Sequence, residues 1–190
     1  MESFYEFDSK LVLSTVHASP QSLKNEGNEE LELIRGNYQN INFPIIFKQT
    51  DGKKFTDILD TGFPNLYLIS SRMKKILEEN NLTGWKTYPI IFYDKKGNEV
   101  LDYHGFSITG RCLELSYNKS RIGEKRRVPT GPICQFYKGA TINGWEGADF
   151  FMPQVTGHML ISKRAANLLV KEKISNLFIQ NIADTEYDLR

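Results

Sequence analysis

Short apolar runs broken by glycine, asparagine and proline dominate this chain, a pattern that predicts β-strands joined by turns. Phe4, Phe7 and the run Leu11, Val12, Leu13 predict a first strand. Residues 17–40 are polar and weakly periodic, and read as loop with one short helix around residues 29–34. The run at 43–47 leads to Asp51-Gly52, a dipeptide that favours hairpin turns, so residues 55–59 are expected to return beside it. Residues 66–69 read as a short buried strand. Residues 85–93 and 99–108 read as two strands joined at 94–98, where Gly97 can adopt the positive φ the turn needs. Residues 111–117 alternate as an edge strand does. Residues 118–132 read as an exposed loop or hairpin tip before a strand at 133–137. Residues 177–182 form a last strand, and the polar final eight residues are expected to fray.

Two segments carry helical rhythm. Each begins at a serine, a favoured N-cap because its hydroxyl accepts from an otherwise unpaired amide of the first turn. After Ser70, apolar residues Met73, Ile76 and Leu77 share a face; after Ser162, Ala165, Leu168 and Leu169 do.

These segments match when the chain is shifted by 92 positions. Leu68, Ile69, Ser70, Arg72 and Leu77 fall on Leu160, Ile161, Ser162, Arg164 and Leu169, five identities in ten positions. Asp57-Ile58-Leu59 falls on Asp149-Phe150-Phe151. The predicted fold is therefore α+β: one domain over 1–190, mostly antiparallel sheet, with pseudo-repeated strand–helix–strand units at 57–89 and 149–181. Arg72 and Arg164 both stand at the second helical position, where a cation opposes the helix dipole. A compensating partner is expected, and Asp57 and Asp149 are the matched candidates. The spacing predicts equivalent ion pairs Arg72–Asp57 and Arg164–Asp149.

Composition narrows the functional classes. The chain has 190 residues, 40% of them hydrophobic, which suits one folded domain. A net charge of +1 implies no whole-molecule attraction to nucleic acid or membrane, and argues against an acidic mimic of DNA. The first residues show no basic segment followed by an apolar run, and no apolar stretch is long enough to span a bilayer, so a cytoplasmic protein is expected. Cys112 and Cys134 are then expected to be reduced and core-facing.

Candidate chemistry is sparse. His17, His104 and His158 are far apart, and no metal-ligand spacing, nucleophile elbow or phosphate loop is present, so no metal and no cofactor are expected. The charge concentrates at Arg111, Lys119, Arg121, Lys125, Arg126 and Arg127, against Glu114 and Glu124. Tyr117, Phe136 and Tyr137 lie among or beside them. Such a segment can dock on an acidic protein surface or hold a single-stranded nucleic acid. Trp145, between Gly144 and Gly147, is a candidate interface anchor. The residues predicted to bind a partner are therefore Trp145, Tyr117, Arg121, Lys125, Arg126 and Arg127. Two alternatives stay open: a nucleic-acid-associated protein using residues 119–127, and a small hydrolase built from Asp57, Asp149 and a histidine.

The segments at 57–60, 68–79 and 82–89, with the closing run from Gly147-Ala148-Asp149-Phe150-Phe151 through Leu160–Ser162 to Leu177-Phe178-Ile179, resemble a bacterial polymorphic-toxin immunity family, the eleventh-numbered one. The resemblance covers about residues 55–105 and 145–182, with Asn176 where the family's final unit usually has glycine. It implies a non-enzymatic cytoplasmic protein that binds and neutralises a cognate toxin; a monomer or weak dimer is expected.

Overall fold

The computed structural model describes residues 3–10, 12–21, 23 and 29–189. In chain order the elements are β1 (Phe4–Ser9), β2 (His17–Pro20), α1 (Glu29–Arg35), β3 (Ile45–Asp51), β4 (Ile58–Asp60), β5 (Tyr67–Ser70), α2 (Ser71–Glu79), β6 (Trp85–Tyr88), β7 (Ile90–Tyr93) and β8 (Tyr103–Ile108). There follow β9 (Gly110–Cys112), β10 (Arg121–Arg126), β11 (Ile133–Lys138), β12 (Phe150–Pro153), β13 (Leu160–Ser162), α3 (Lys163–Lys171), β14 (Leu177–Asn181) and β15 (Glu186–Asp188). The fold is α+β and mostly sheet. Leu11, Ser22 and residues 24–28, part of the predicted first strand and of the predicted loop, lie outside the described residues.

Three sheets form, with strand orders β14-β1-β13-β12-β9, β6-β8-β5-β4-β2-β3-β7 and β10-β11-β15. Most pairings are antiparallel; β9 on β12, β2 on β4 and β3 on β7 are parallel. In the seven-stranded sheet β6 and β7 are opposite edges, yet only Pro89 separates them in sequence. One residue cannot span an open sheet, so the sheet curls until its edges approach. Phe47, Tyr88, Phe92 and Phe106 are fully buried in this part of the fold. Gly105 is required there, because a Cβ would sit 2.0 Å from the Tyr88 ring.

The five- and seven-stranded sheets share one large core, to which Phe7, Phe150 and Ile161 contribute from the first and Leu59, Ile69 and Phe106 from the second. Helices α2 and α3 bury Met73 and Leu77, and Ala165, Ala166 and Leu169. A smaller core around Phe4, Cys112, Phe151 and Tyr187 lies beneath the three-stranded sheet.

Several local expectations are corrected. The Asp51-Gly52 turn does not make a hairpin of β3 and β4, since β2 lies between them. Gly52 instead packs its Cα against Thr15, whose carbonyl oxygen would be 1.9 Å from a Cβ. The strand read at 85–93 breaks at Pro89, whose missing amide cannot join a ladder. Of residues 111–117 only Arg111 and Cys112 join one of the three sheets, as the end of β9. Within the end expected to fray, Glu186–Asp188 form β15, which pairs with β11, and Tyr187 is buried. Cys134 is half-buried rather than core-facing, whereas Cys112 is buried, and both thiols are free. Burial pushes the Cys112 thiol up to about 11, which keeps it protonated and unreactive at neutral pH.

Candidate partner-binding surface

Each helix start is anchored by one carboxylate. Ser70 Oγ accepts from the Met73 amide at 3.0 Å and donates to Asp57 Oδ1 at 2.7 Å. Arg72 Nη1 donates to Asp57 Oδ2 at 2.8 Å. At the other helix Ser162 Oγ accepts from Ala165 and donates to Asp149 Oδ1 at 2.8 Å, and Arg164 Nη1 lies 3.1 Å from Asp149 Oδ2.

Neither carboxylate serves its own helix alone. Asp57 accepts from the amide and hydroxyl of Ser175, at 2.9 and 2.8 Å. Asp149 accepts from the amide and hydroxyl of Thr83, at 3.1 and 3.4 Å. The arginines reach across as well: Arg72 Nη2 to the Glu172 carbonyl, Arg164 Nη2 to the Asn80 carbonyl, both at 2.5 Å. Burial raises the pKa of Asp57, but the donors Ser175, Ser70 and Arg72 outweigh it and hold the group below the ordinary aspartate value.

The groups named for the hydrolase alternative are not brought together among the described residues. Both carboxylates are buried, and their donors among the described residues are serine, threonine and arginine. The histidines lie elsewhere: His17 beside Thr50 and Asp60, His104 against Ser71, His158 against Glu6. Among the described residues no cluster of metal ligands forms.

The basic segment forms a hairpin rather than a loop. All six residues of β10 pair with β11, from Arg121↔Lys138 to Arg126↔Ile133. Strand β10 is a sheet edge, and every residue of it except Gly123 is exposed. Such an edge presents a row of backbone donors and acceptors to a partner. Gly123 lets the Phe136 ring lie across the strand, where a Cβ would be 2.4 Å from it. Exposed apolar side chains accompany the charge: Ile122, Val128 and Ile133.

The positive charge is smaller than the sequence suggests. Lys125 is bonded to Glu186 and Arg127 to Asp188, so the C-terminal strand neutralises two cations. Arg126 Nη1 donates to the Gly131 carbonyl at 2.5 Å. Arg111 leaves the patch altogether: its guanidinium is half-buried and donates to the carbonyls of Ile108, Gly110 and Arg35. The aromatic rings are also engaged. Tyr117 stacks on Tyr137 at 4.9 Å, and Lys125 lies over Phe136. The stack and the cation each cover one ring face, which leaves fewer faces for a single strand to stack on.

Trp145 is not the free anchor its loop position predicts. It is half-buried, its indole N–H donates to the Ala148 carbonyl at 2.9 Å, and its ring packs edge-on against Phe4 at 5.0 Å. It covers the smaller core. Trp85 likewise packs on the large core from its edge.

No helix among the described residues is long and apolar enough to cross a membrane. A family model described as Immunity protein family (Imm11) matches residues 15–144. The match takes in β2 through β11, the basic hairpin included, leaves β1 outside it, and ends before the closing run at 147–179. No curated protein matches the chain.

Proposed function

The chain belongs to the immunity protein family Imm11, and on that premise we propose that it binds a toxin protein in the cytoplasm and neutralises it by occlusion, without catalysis. The observation that carries the choice of surface is the free edge of β10, exposed along its length and rimmed by Arg121 and Arg126, with Lys125 held to Glu186 between them. Charge at such a rim steers association, while main-chain pairing and the apolar side chains of Ile122 and Ile133 supply contact. Arg127, at the hairpin turn, is tied to Asp188, Tyr117 stacks on Tyr137 of β11, and Trp145 supports the smaller core.

The test uses the toxin encoded by the neighbouring open reading frame. The full chain is expected to bind it and to rescue growth when both are expressed. The double substitution Arg121→Glu with Arg126→Glu is expected to weaken binding by about tenfold or more, chiefly through slower association. Unchanged affinity in a folded variant overturns this surface. Absence of any complex with the wild-type chain overturns the immunity reading.

We infer further that residues 57–89 and 149–181 are two copies of one unit inside a single domain. In support, the offset of 92 carries the bonds of Asp57 with Ser70, Arg72 and Ser175 onto those of Asp149 with Ser162, Arg164 and Thr83. In one sheet β8 stands between β5 and β6; in the other the N-terminal β1 stands between β13 and β14. The registers agree as well, since Tyr103 opposes Ser70 as Phe4 opposes Ser162. The first strand of the chain thus completes the second copy.

A further inference from the structure

An open groove of about 890 Å3 runs between the three-stranded sheet, β1 and the segment 155–159. Its floor is aromatic. Tyr117 stacks on Tyr137, and Tyr187 leans against Tyr117 at 5.3 Å. One wall carries Glu6 and Asp8, two residues apart on β1 and hence on one face. Asp8 accepts from the Tyr67 hydroxyl, a neutral donor that leaves its charge in place. The opposite wall brings Glu186, Asp188 and Arg127. Arg127 is engaged by Asp188, so it does not neutralise the β1 carboxylates. His158 Nδ1 lies 3.4 Å from Glu6 and compensates its charge only when protonated.

A second observation distinguishes the groove from a solvated acidic face. Tyr187 is 94% buried by its 6% exposure, lines the groove, and its hydroxyl makes no hydrogen bond of good geometry among the described residues. It lies near enough to Glu6 for a loose contact with that carboxylate, and burial, the Glu6 charge and this contact together drive its pKa far above the usual tyrosine value. Native structures rarely leave a buried hydroxyl without a partner, and each such group calls for an occupant or another explanation.

We propose that this groove receives a basic side chain of the toxin, an arginine above all, held between the Glu6 carboxylate and the Tyr187 oxygen over the stacked tyrosines. The proposal rests on the toxin-binding reading and names the chemistry the partner must bring. A guanidinium has donors for both oxygens and a flat face for an aromatic floor. A carboxylate or phosphate would meet Glu6 and Asp8 with like charge. The hairpin and the groove then form one interface of opposite signs, with a cationic edge beside an anionic slot.

The isotope-labelled full chain is titrated with N-acetyl-arginine amide, and with N-acetyl-glutamate amide as control, while amide shifts are followed. Saturable shifts are expected at Gly157, His158 and Tyr187 with the arginine probe alone, with a midpoint of roughly 1–10 mM, the range of a single small contact. Glu6→Gln is expected to weaken the probe by about tenfold, through loss of a charge-assisted bond; Asp8→Asn serves as a second variant should the first fail to fold. No saturable shift by about 50 mM, or equal shifts with the glutamate probe, overturns the proposal. The toxin provides the separate arm. If the wild-type chain binds toxin and the folded Glu6→Gln chain binds it equally well, the groove is overturned and the immunity reading stands. If the wild-type chain forms no complex with toxin, the immunity reading falls, and the arginine titration still decides the groove.

Discussion

Replacing Asp149 with alanine is expected to lower the stability of the whole chain by about 3–5 kcal/mol, and Asp57→Ala by a similar amount. The cost comes from the partners left behind. Without Asp149 the buried Ser162 hydroxyl loses its acceptor, and the Thr83 amide and hydroxyl lose theirs in a part-buried contact. A buried donor without an acceptor costs about 1–3 kcal/mol. The arginine adds less, because more than half of the Arg164 side chain is exposed and water can replace the lost bond. For a chain of this size the shift corresponds to roughly 10 °C in Tm. Each carboxylate belongs to one strand–helix unit and is held by the loop of the other, so either substitution is expected to shift a single transition. Denaturant unfolding followed by tryptophan fluorescence and by circular dichroism checks this. Two separated transitions, or a loss under about 1 kcal/mol, would reject the anchoring role.

The same bonds set a pH dependence. Asp57 titrates below its ordinary value in the folded chain, so the folded state favours the ionised form. Its contribution is fully present above the pKa of the unfolded chain and is lost as pH falls through the lower folded value. Asp57→Asn is expected to remove that part of the acid sensitivity while lowering stability at neutral pH.

These anchors were legible because their signals are local. Ser70 with Met73 and Ser162 with Ala165 are three residues apart, and an arginine misplaced against the helix dipole twice invites a search for its carboxylate. The crossing bonds were not legible, because Ser175 and Thr83 lie in loops that only the packing of the sheets brings to Asp57 and Asp149. The hairpin misreading at Asp51-Gly52 has a similar cause. A turn signal states that the chain bends, and β2, far upstream, decides which strand it meets. Strand β15 was missed because only Tyr187 of Glu186–Asp188 is buried, so no run of apolar residues marks it. The groove draws on β1, the 155–159 segment and the β15 sheet, and no stretch of sequence carries its pattern.

Gly84 and Asn176 allow the sharpest comparison of the two units. The offset of 92 superposes them, and both adopt positive φ, +81° and +62°. Both carbonyls accept from the amide just past the neighbouring strand, Gly84 from Thr109 after β8 and Asn176 from Lys10 after β1. Their surroundings differ in one respect. At Gly84 a Cβ would lie 2.0 Å from the Phe150 carbonyl oxygen, an approach only glycine permits. At Asn176 the side chain is accommodated, and its Nδ2 donates to the Ile58 carbonyl at 2.9 Å. Phe150 and Ile58 are themselves superposed by the same offset. One unit therefore touches this carbonyl backbone to backbone, the other through an amide side chain. Gly84→Asn is expected to cost about 3 kcal/mol or more, because the asparagine tolerates the left-handed conformation but its Cβ cannot occupy the carbonyl's place. Asn176→Gly is expected to cost only about 1 kcal/mol, the worth of one hydrogen bond, since glycine adopts that conformation freely. Urea midpoints of the two variants, measured side by side, check the asymmetry. Equal costs would mean that the two contacts are held at the same distance in solution, and that the tighter packing at Gly84 is not what selects glycine there.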